Sequence, residues 1–220
     1  MSSATEAISL PDDLSEDVRR ELLALSRESK LEAGPFPINE QFIRHWCETF
    51  EDGNPLYLDE DYARQHGLHD LMMPPVAVLS AVSMPFRWPW PPKEVPSEMI
   101  LFRLKRILKL PIGIATDIEL EFFAPVQLGE RLFKSYRLIA MSPWKKTRLG
   151  DGHFITWIDS YWNERKERIA EQRITVFAYG RGTGGEDDLT LDGGFSNSIE
   201  EAIEGKKTGY KPPPRKELYW

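Results

Sequence analysis

The stretch from Ile114 to Phe123 constrains this chain more than any other. Ile118, Leu120 and Phe122 alternate there with Asp117, Glu119 and Glu121. A period of two marks a strand with one face on a core and the other in water. Glu130 to Met141, His153 to Trp162 and Arg168 to Tyr179 read the same way, and Met99 to Leu110 joins them as a further strand. Asn163 to Glu167 is a short polar turn suited to closing a hairpin between the last two. In the final strand Ile174, Val176 and Ala178 alternate with Arg173, Thr175 and Phe177, so both faces are partly covered.

Helical patterns come first in the chain. Leu14, Val18, Leu22 and Leu25 repeat at helical spacing within Asp13 to Ala33, Gly34-Pro35 stops the run, and Asp13 with Glu16 has the arrangement of a capping box. A second helix is predicted from the N-cap Asn39 to Phe50, and a short third from Glu60 to His66, stopped by Gly67. Pro74-Pro75 opens Val76 to Met84, apolar nearly all round and therefore read as a buried helix. The segment from Pro85 to Pro96, with five prolines and with Trp88 and Trp90, reads as an ordered loop. Helices followed by strands with short joins argue an α+β fold, an antiparallel sheet around one buried helix. Residues 1–12 read as a flexible N-terminus, 13–180 as the domain, and 181–220 as a linker with a partner-docking tail ending in Leu218-Tyr219-Trp220.

Composition narrows the function classes. The chain has 220 residues and a formal net charge of −7, without the basic footprint of a nucleic-acid coat. Cys47 is the sole cysteine, so no intrachain disulfide or cysteine-rich zinc site can form. The four histidines show no metal-ligand spacing. No signal peptide is evident, and no apolar run approaches the ~20 residues of a membrane span, so a cytoplasmic protein without a membrane partner is expected. Gly180 to Gly185 imitates a phosphate loop but lacks the following Lys-Ser/Thr. Neither a metal nor a redox cofactor is expected.

Phe50-Glu51-Asp52-Gly53-Asn54-Pro55-Leu56-Tyr57-Leu58-Asp59, followed by Ala63, Gly67 and Pro74-Pro75, resembles the hydratase motif of the MaoC-like (R-specific enoyl-CoA hydratase) family of hot dog proteins. Pro125 to Leu132 is similar to that family's strand-entry segment, and Tyr161 to Glu167 with Ala170, Arg173 and Thr175 to its closing hairpin. The resemblance implies a hot dog fold, an antiparallel sheet wrapped around a central helix, with N-terminal helices and a flexible C-terminal tail. It also implies reversible addition of water to a 2-enoyl-CoA, giving a 3-hydroxyacyl-CoA. By the resemblance, Asp52 and Asn54 stand at motif positions, while Tyr57 stands where the family has its catalytic His. A free tyrosine titrates near ~10 and is a poor base at neutral pH. The other reading of Asp52 and Asn54 is turn chemistry ahead of Pro55.

The resemblance further implies that this chain matches the first, dyad-less half of a double hot dog, with a second MaoC-like chain, or a second copy, as partner. Candidate substrate contacts are Pro74, Pro75 and Trp88, with Lys145, Lys146 and Arg148 as a seat for the phosphates of coenzyme A. The basic run Arg103-Leu104-Lys105-Arg106 is a second such seat, with a charged strand edge as its alternative. His69 could stand in for the missing base, against a solvated loop position. Two rival functions remain: a hot dog thioesterase using Asp52, and a non-catalytic acyl-thioester binding protein.

Overall fold

The computed structural model describes residues 8–82 and 99–180. Helix α1 (Glu16–Leu25) starts at Ser15, whose hydroxyl accepts from the Val18 N–H, and buries Leu22 and Leu25. The cap is therefore Ser15 and not the expected Asp13, and the helix stops at Ser26 well before Ala33. Glu32–Ala33 instead forms the short strand β1. Ahead of α1, Ser9 bridges to Ala140, and Ile8 and Leu10 pack on the core.

Helix α2 (Glu40–Phe50) starts at Asn39 as the sequence predicts and buries Ile43 and Cys47. Then come the single turn α3 (Pro55–Leu58) and α4 (Glu60–Gln65), the latter capped by Asp59. The expected buried helix after Pro74 is a 3₁₀ turn at Pro75–Ala77 running into α5 (Val78–Val82). Ala77 and Val78 are fully buried while Val76 is exposed, so this segment is covered on one side only. The loop of Pro85 to Pro96, with Trp88, and the tail 181–220 lie outside the described residues.

Met99 to Leu110 corrects the sequence reading. It holds helix α6 (Ile100–Leu108), ended by Lys109 in the left-handed conformation at φ 54°. Its apolar residues also fit helical spacing: Ile100 and Leu104 bury together, and Ile107 and Leu108 pack beside them.

The remaining strands are β2 (Ile112–Phe122), β3 (Phe133–Met141), β4 (Lys145–Lys146), β5 (Asp151–Trp162) and β6 (Arg168–Gly180). They form one antiparallel sheet in the order β1-β3-β5-β6-β2, with β4 beside β5. The predicted hairpin turn is closed by Asn163, whose side chain accepts from the Glu167 N–H at 3.0 Å and donates to its carboxylate at 2.8 Å. Gly152 on β5 sits so close to β6 that a Cβ there would lie 1.9 Å from the Ala178 carbonyl oxygen.

Register decides what the inner sheet face presents. Tyr136 lies opposite Asp159, Asp159 opposite Gln172, and Gln172 opposite Leu120. On one side of this rung run Leu138, Trp157, Ile174 and Ile118; on the other run Lys134, Tyr161, Ala170 and Phe122. A bulge between Ala115 and Asp117 shifts β2 by one residue. That shift keeps Gly113 and Ala115 on the same inward face as Ile118.

Two separate cores cover this face. One gathers Ile43, Cys47, Tyr57, Leu71, Met73, Val78, Val126 and Tyr161. The other joins Leu22 and Leu25 of α1, Ile100 and Leu104 of α6, and Tyr136, Leu138, Ile155, Trp157 and Val176 of the sheet. The polar rung lies at the seam between them.

Candidate functional site

The motif turn is built by its own backbone. Glu51 ends α2 in the left-handed conformation at φ 53°, and the Asp52 N–H bonds the Cys47 carbonyl at 2.9 Å. The Asp52 carboxylate accepts from the Asn54 N–H at 3.2 Å, and the Asn54 side chain accepts from the Leu56 N–H at 3.1 Å, capping α3. Pro55 at the first helical position needs no donor there. Tyr57 is buried at 6 % exposure. Burial pushes its phenol above the usual tyrosine value, and the nearby Asp52 charge raises it further. Burial likewise pushes the Cys47 thiol up, with Asp52 as second cause. At neutral pH Tyr57 is thus a neutral hydroxyl, able to donate or accept a hydrogen bond and unable to act as the base that the family's His supplies.

His69 is exposed on a loop fixed by Gln127, whose side-chain oxygen accepts from the N–H groups of His69 and Asp70 at 2.6 and 3.2 Å. Pro74 is buried, and Pro75 borders a small apolar cavity of about 300 Å³ with Met72, Met73, Phe122 and Phe123. Lys145 and Lys146 are exposed on β4 and Arg148 in the turn after it. Arg103 and Lys105 belong to a helix and not to a strand edge. Arg103 donates to the Tyr136 hydroxyl at 2.8 Å, and burial lowers the Lys105 pKa. Trp88 lies outside the described residues.

A cavity of about 570 Å³ opens where the two cores part. Leu79, Ser80 and Val82 of α5 and Met99, Ile100 and Leu101 border it on the helical side, and the inner sheet face forms its floor. Asp52, Asn54 and Tyr57 do not line it. Its floor holds polar residues that the sequence reading passed over: Lys134, Asp159 and Gln172. Lys134 Nζ lies 3.0 Å from Asp159 Oδ2, with the Asp159 side chain buried and that of Lys134 mostly covered, and the Tyr161 hydroxyl donates to Gln172 at 3.1 Å. Desolvation pushes the Asp159 carboxyl up despite the lysine's opposing charge. A signal was present, because Asp159 occupies the inward place in the alternation Ile155, Trp157, Tyr161, where a charge needs a reason.

Among the described residues, no cluster of His, Cys, Asp and Glu could hold a metal ion, and no helix is long and apolar enough to cross a membrane.

Residues 28–172 match the family model described as FAS1-like, dehydratase domain region. A probable enoyl-CoA hydratase alpha subunit of Thermomonospora curvata is 34 % identical over 148 residues, covering 66 % of this chain and 46 % of the relative. The 3-oxo-4,17-pregnadiene-20-carboxyl-CoA hydratase alpha subunit of Mycobacterium tuberculosis is 30 % identical over 149 residues, 65 % of this chain and 45 % of the relative. This chain therefore spans a little under half the length of the curated relatives it matches. Among solved structures, a chain of the ChsH1-ChsH2 complex from M. tuberculosis superposes with a TM-score of 0.66 at 22 % identity, over 76 % of this chain and 98 % of that one. A MaoC-like dehydratase superposes at 0.51 with 15 % identity, over 70 % of this chain and 42 % of that one. The helix-then-sheet order, the Asp-Gly-Asn-Pro turn and these likenesses agree: the chain belongs to the FAS1-like dehydratase-region family and has the hot dog fold of the MaoC-like hydratases.

Proposed function

We propose that this chain is the supporting half of a two-chain MaoC-like hydratase, acting on an acyl-CoA whose acyl group enters the large cavity. A homologous partner supplies the Asp and His that add water across the enoyl double bond, hydroxyl to C3 and proton to C2. The observation that carries the reading is Tyr57, a buried neutral phenol at the position of the family's base. Asp52 Oδ1 and Asn54 Oδ1 each accept from a backbone N–H of this turn. Two curated relatives are named as alpha subunits of hydratases, and one similar structure is of a two-protein complex, which supports a paired chain. The reaction requires neither a metal nor a redox group.

An exposed partner surface is available. Strand β2 is the sheet's edge, and Ile114, Ile118 and Phe122 on it are 41–51 % exposed. An edge of eleven residues with such side chains invites pairing.

The test is loss of enoyl absorbance with crotonyl-CoA and longer or ring-bearing enoyl-CoAs. The full chain is assayed alone and co-expressed with a MaoC-like chain that keeps the Asp and His. Activity is expected only in the pair. Asp52→Asn is expected to leave the pair's kcat within about threefold, whereas losing a true general base costs about 10²–10⁴-fold. Hydration by the chain alone would overturn the split site. Free-thiol release without hydration would instead identify a thioesterase.

A further inference from the structure

The sheet ends on two unlike edges. Strand β1, at one, has two residues, whereas β2, at the other, has eleven and no strand beyond it among the described residues. Every second residue of β2 therefore turns its N–H and C=O away from β6, open to pairing. Past the bulge, the two faces of this edge differ. On the inner face Ile118 and Phe122 are exposed. On the outer face Asp117, Glu119 and Glu121 form an exposed acidic row. Arg173 meets Glu119 only at 3.9 Å, and Asp117 and Glu121 have no ion pair among the described residues. Glu121 stands opposite Glu171, whose carboxylate already holds Arg168 at 2.6 Å.

That row decides which strand can pair. A sheet continued across the edge keeps inward residues beside inward residues, so the newcomer's outer row lies beside Asp117, Glu119 and Glu121. A second copy pairing antiparallel about a two-fold axis brings its own acids there. Centred on Ile118, Asp117 of each copy faces Glu119 of the other; centred on Glu119, Glu119 faces itself and Asp117 faces Glu121. Registers slid to either end of β2 avoid these meetings but leave Ile118 or Phe122 uncovered. Like charges directly opposite destabilise a strand pair, and across an interface they turn away the wrong partner. The apolar inner row favours association, and the acidic outer row denies it to a copy of this chain.

We propose that the β2 edge is a docking site for a strand of a different chain, one with apolar residues on its inner face and Lys or Arg on its outer face, and that its acidic row refuses a second copy. This rests on the reading above that the chain works with a partner, and it states which chemistry that partner's strand must carry. Gly113, Ala115 and Ile118 of the same edge line the 570 Å³ cavity, so the paired strand also extends the cavity wall.

The test makes this chain its own complement. A charge-reversed variant, Asp117→Lys with Glu119→Lys and Glu121→Lys, is changed only at exposed positions. Wild type, the variant and their equimolar mixture are compared by sedimentation velocity at low salt. The mixture is expected to associate about tenfold or more tightly than either chain alone, and to lose that gain in about 0.5 M salt. The neutral variant, Asp117→Asn with Glu119→Gln and Glu121→Gln, should self-associate more tightly than wild type. A mixture no tighter than wild type alone would overturn the proposal, as would a wild-type dimer that Ile118→Asp dissolves. Should the charge-reversed variant fail to fold, a neutral variant no tighter than wild type overturns it equally. In a pair that hydrates enoyl-CoA, about tenfold more of the charge-reversed variant than of wild type should be needed for half-maximal activity. An unchanged requirement would overturn the docking site and leave the hydratase reading standing. Charge-dependent association with no hydration by any pair would sustain the docking site and refute the hydratase.

Discussion

The turn at Asp52–Tyr57 and the rung at Tyr136, Asp159 and Gln172 are both polar islands against apolar cores, yet they are finished differently. In the turn, the Asp52 and Asn54 side chains each cap a backbone N–H within two residues. In the rung, partners come from strands far apart in sequence, and two atoms are left with none. A polar group satisfied by its own local backbone does structural work. One held only by partners from other strands depends on the whole sheet being in register. By that criterion the motif that carries the family likeness is held by local turn chemistry, while the rung is held by contacts between strands.

The largest effect expected from breaking this contrast is at the ion pair. Asp159→Leu alone strands Lys134, whose side chain is 13 % exposed, in an apolar seam. Removing one partner of a buried pair costs about 3–5 kcal/mol. At roughly 2–4 °C per kcal/mol for a chain of this size, the melting temperature should fall by about 10 °C. The double change with Lys134→Met should recover most of the loss, since apolar replacements of buried pairs are often neutral or better. A single variant as stable as wild type would mean that water already reaches the lysine. The seam would then be wet, not dry.

How much of this was legible beforehand follows from the range of each signal. Helix α2 with its cap Asn39, the start of α4 at Glu60, and the hairpin turn at Asn163 rest on residues within a few positions of one another, and the structure has them where the sequence reading puts them. Helix α6 was misread because its segment fits both periods. Phe102 and Leu104 alternate with Arg103 and Lys105 as in a strand, while Ile100, Leu104, Ile107 and Leu108 follow a helix. Packing against α1 decides between them, and no local pattern contains that contact. The site divides similarly. The motif turn is local, and its resemblance was visible. The polar rung needs the register of three strands, which brings residues 136, 159 and 172 level only after folding. Asp159 carried a local signal, a charge on an apolar alternation, and the sequence reading passed over it.

A middling effect is expected at the turn. Asn54→Ala removes the cap of α3 and should cost about 1 kcal/mol, read by urea unfolding, as N-cap losses generally do. Tyr57→Phe removes a hydroxyl whose neighbours are Asp52 and Asn54 and should cost a similar amount. Neither change should alter the stability cost of Asp159→Leu, because neither residue lines the cavity. A cost of Asp159→Leu that changes in the Asn54→Ala background would join the two islands into one unit and dissolve the contrast.

The smallest effect, and the one that separates the islands most cleanly, is in the pH dependence of stability. Burial raises the Asp159 carboxyl above its ordinary 3.8, against the pull of Lys134 and with Glu32 adding to the rise. The native state therefore holds the proton to higher pH than the unfolded chain. Across the window from 3.8 upward to the raised native value, the unfolded state binds fewer protons, so this group's contribution makes stability fall as pH rises. Below that window its two states are equally protonated and it contributes no slope. The double change Lys134→Met with Asp159→Leu deletes the term. Its melting temperature relative to wild type should therefore climb across that window and level off above it. A difference that is flat with pH would mean that Asp159 keeps its ordinary titration, as a carboxylate reached by water would. In that case the rung, like the turn at Asp52, is a partly solvated surface feature, and the contrast between them falls.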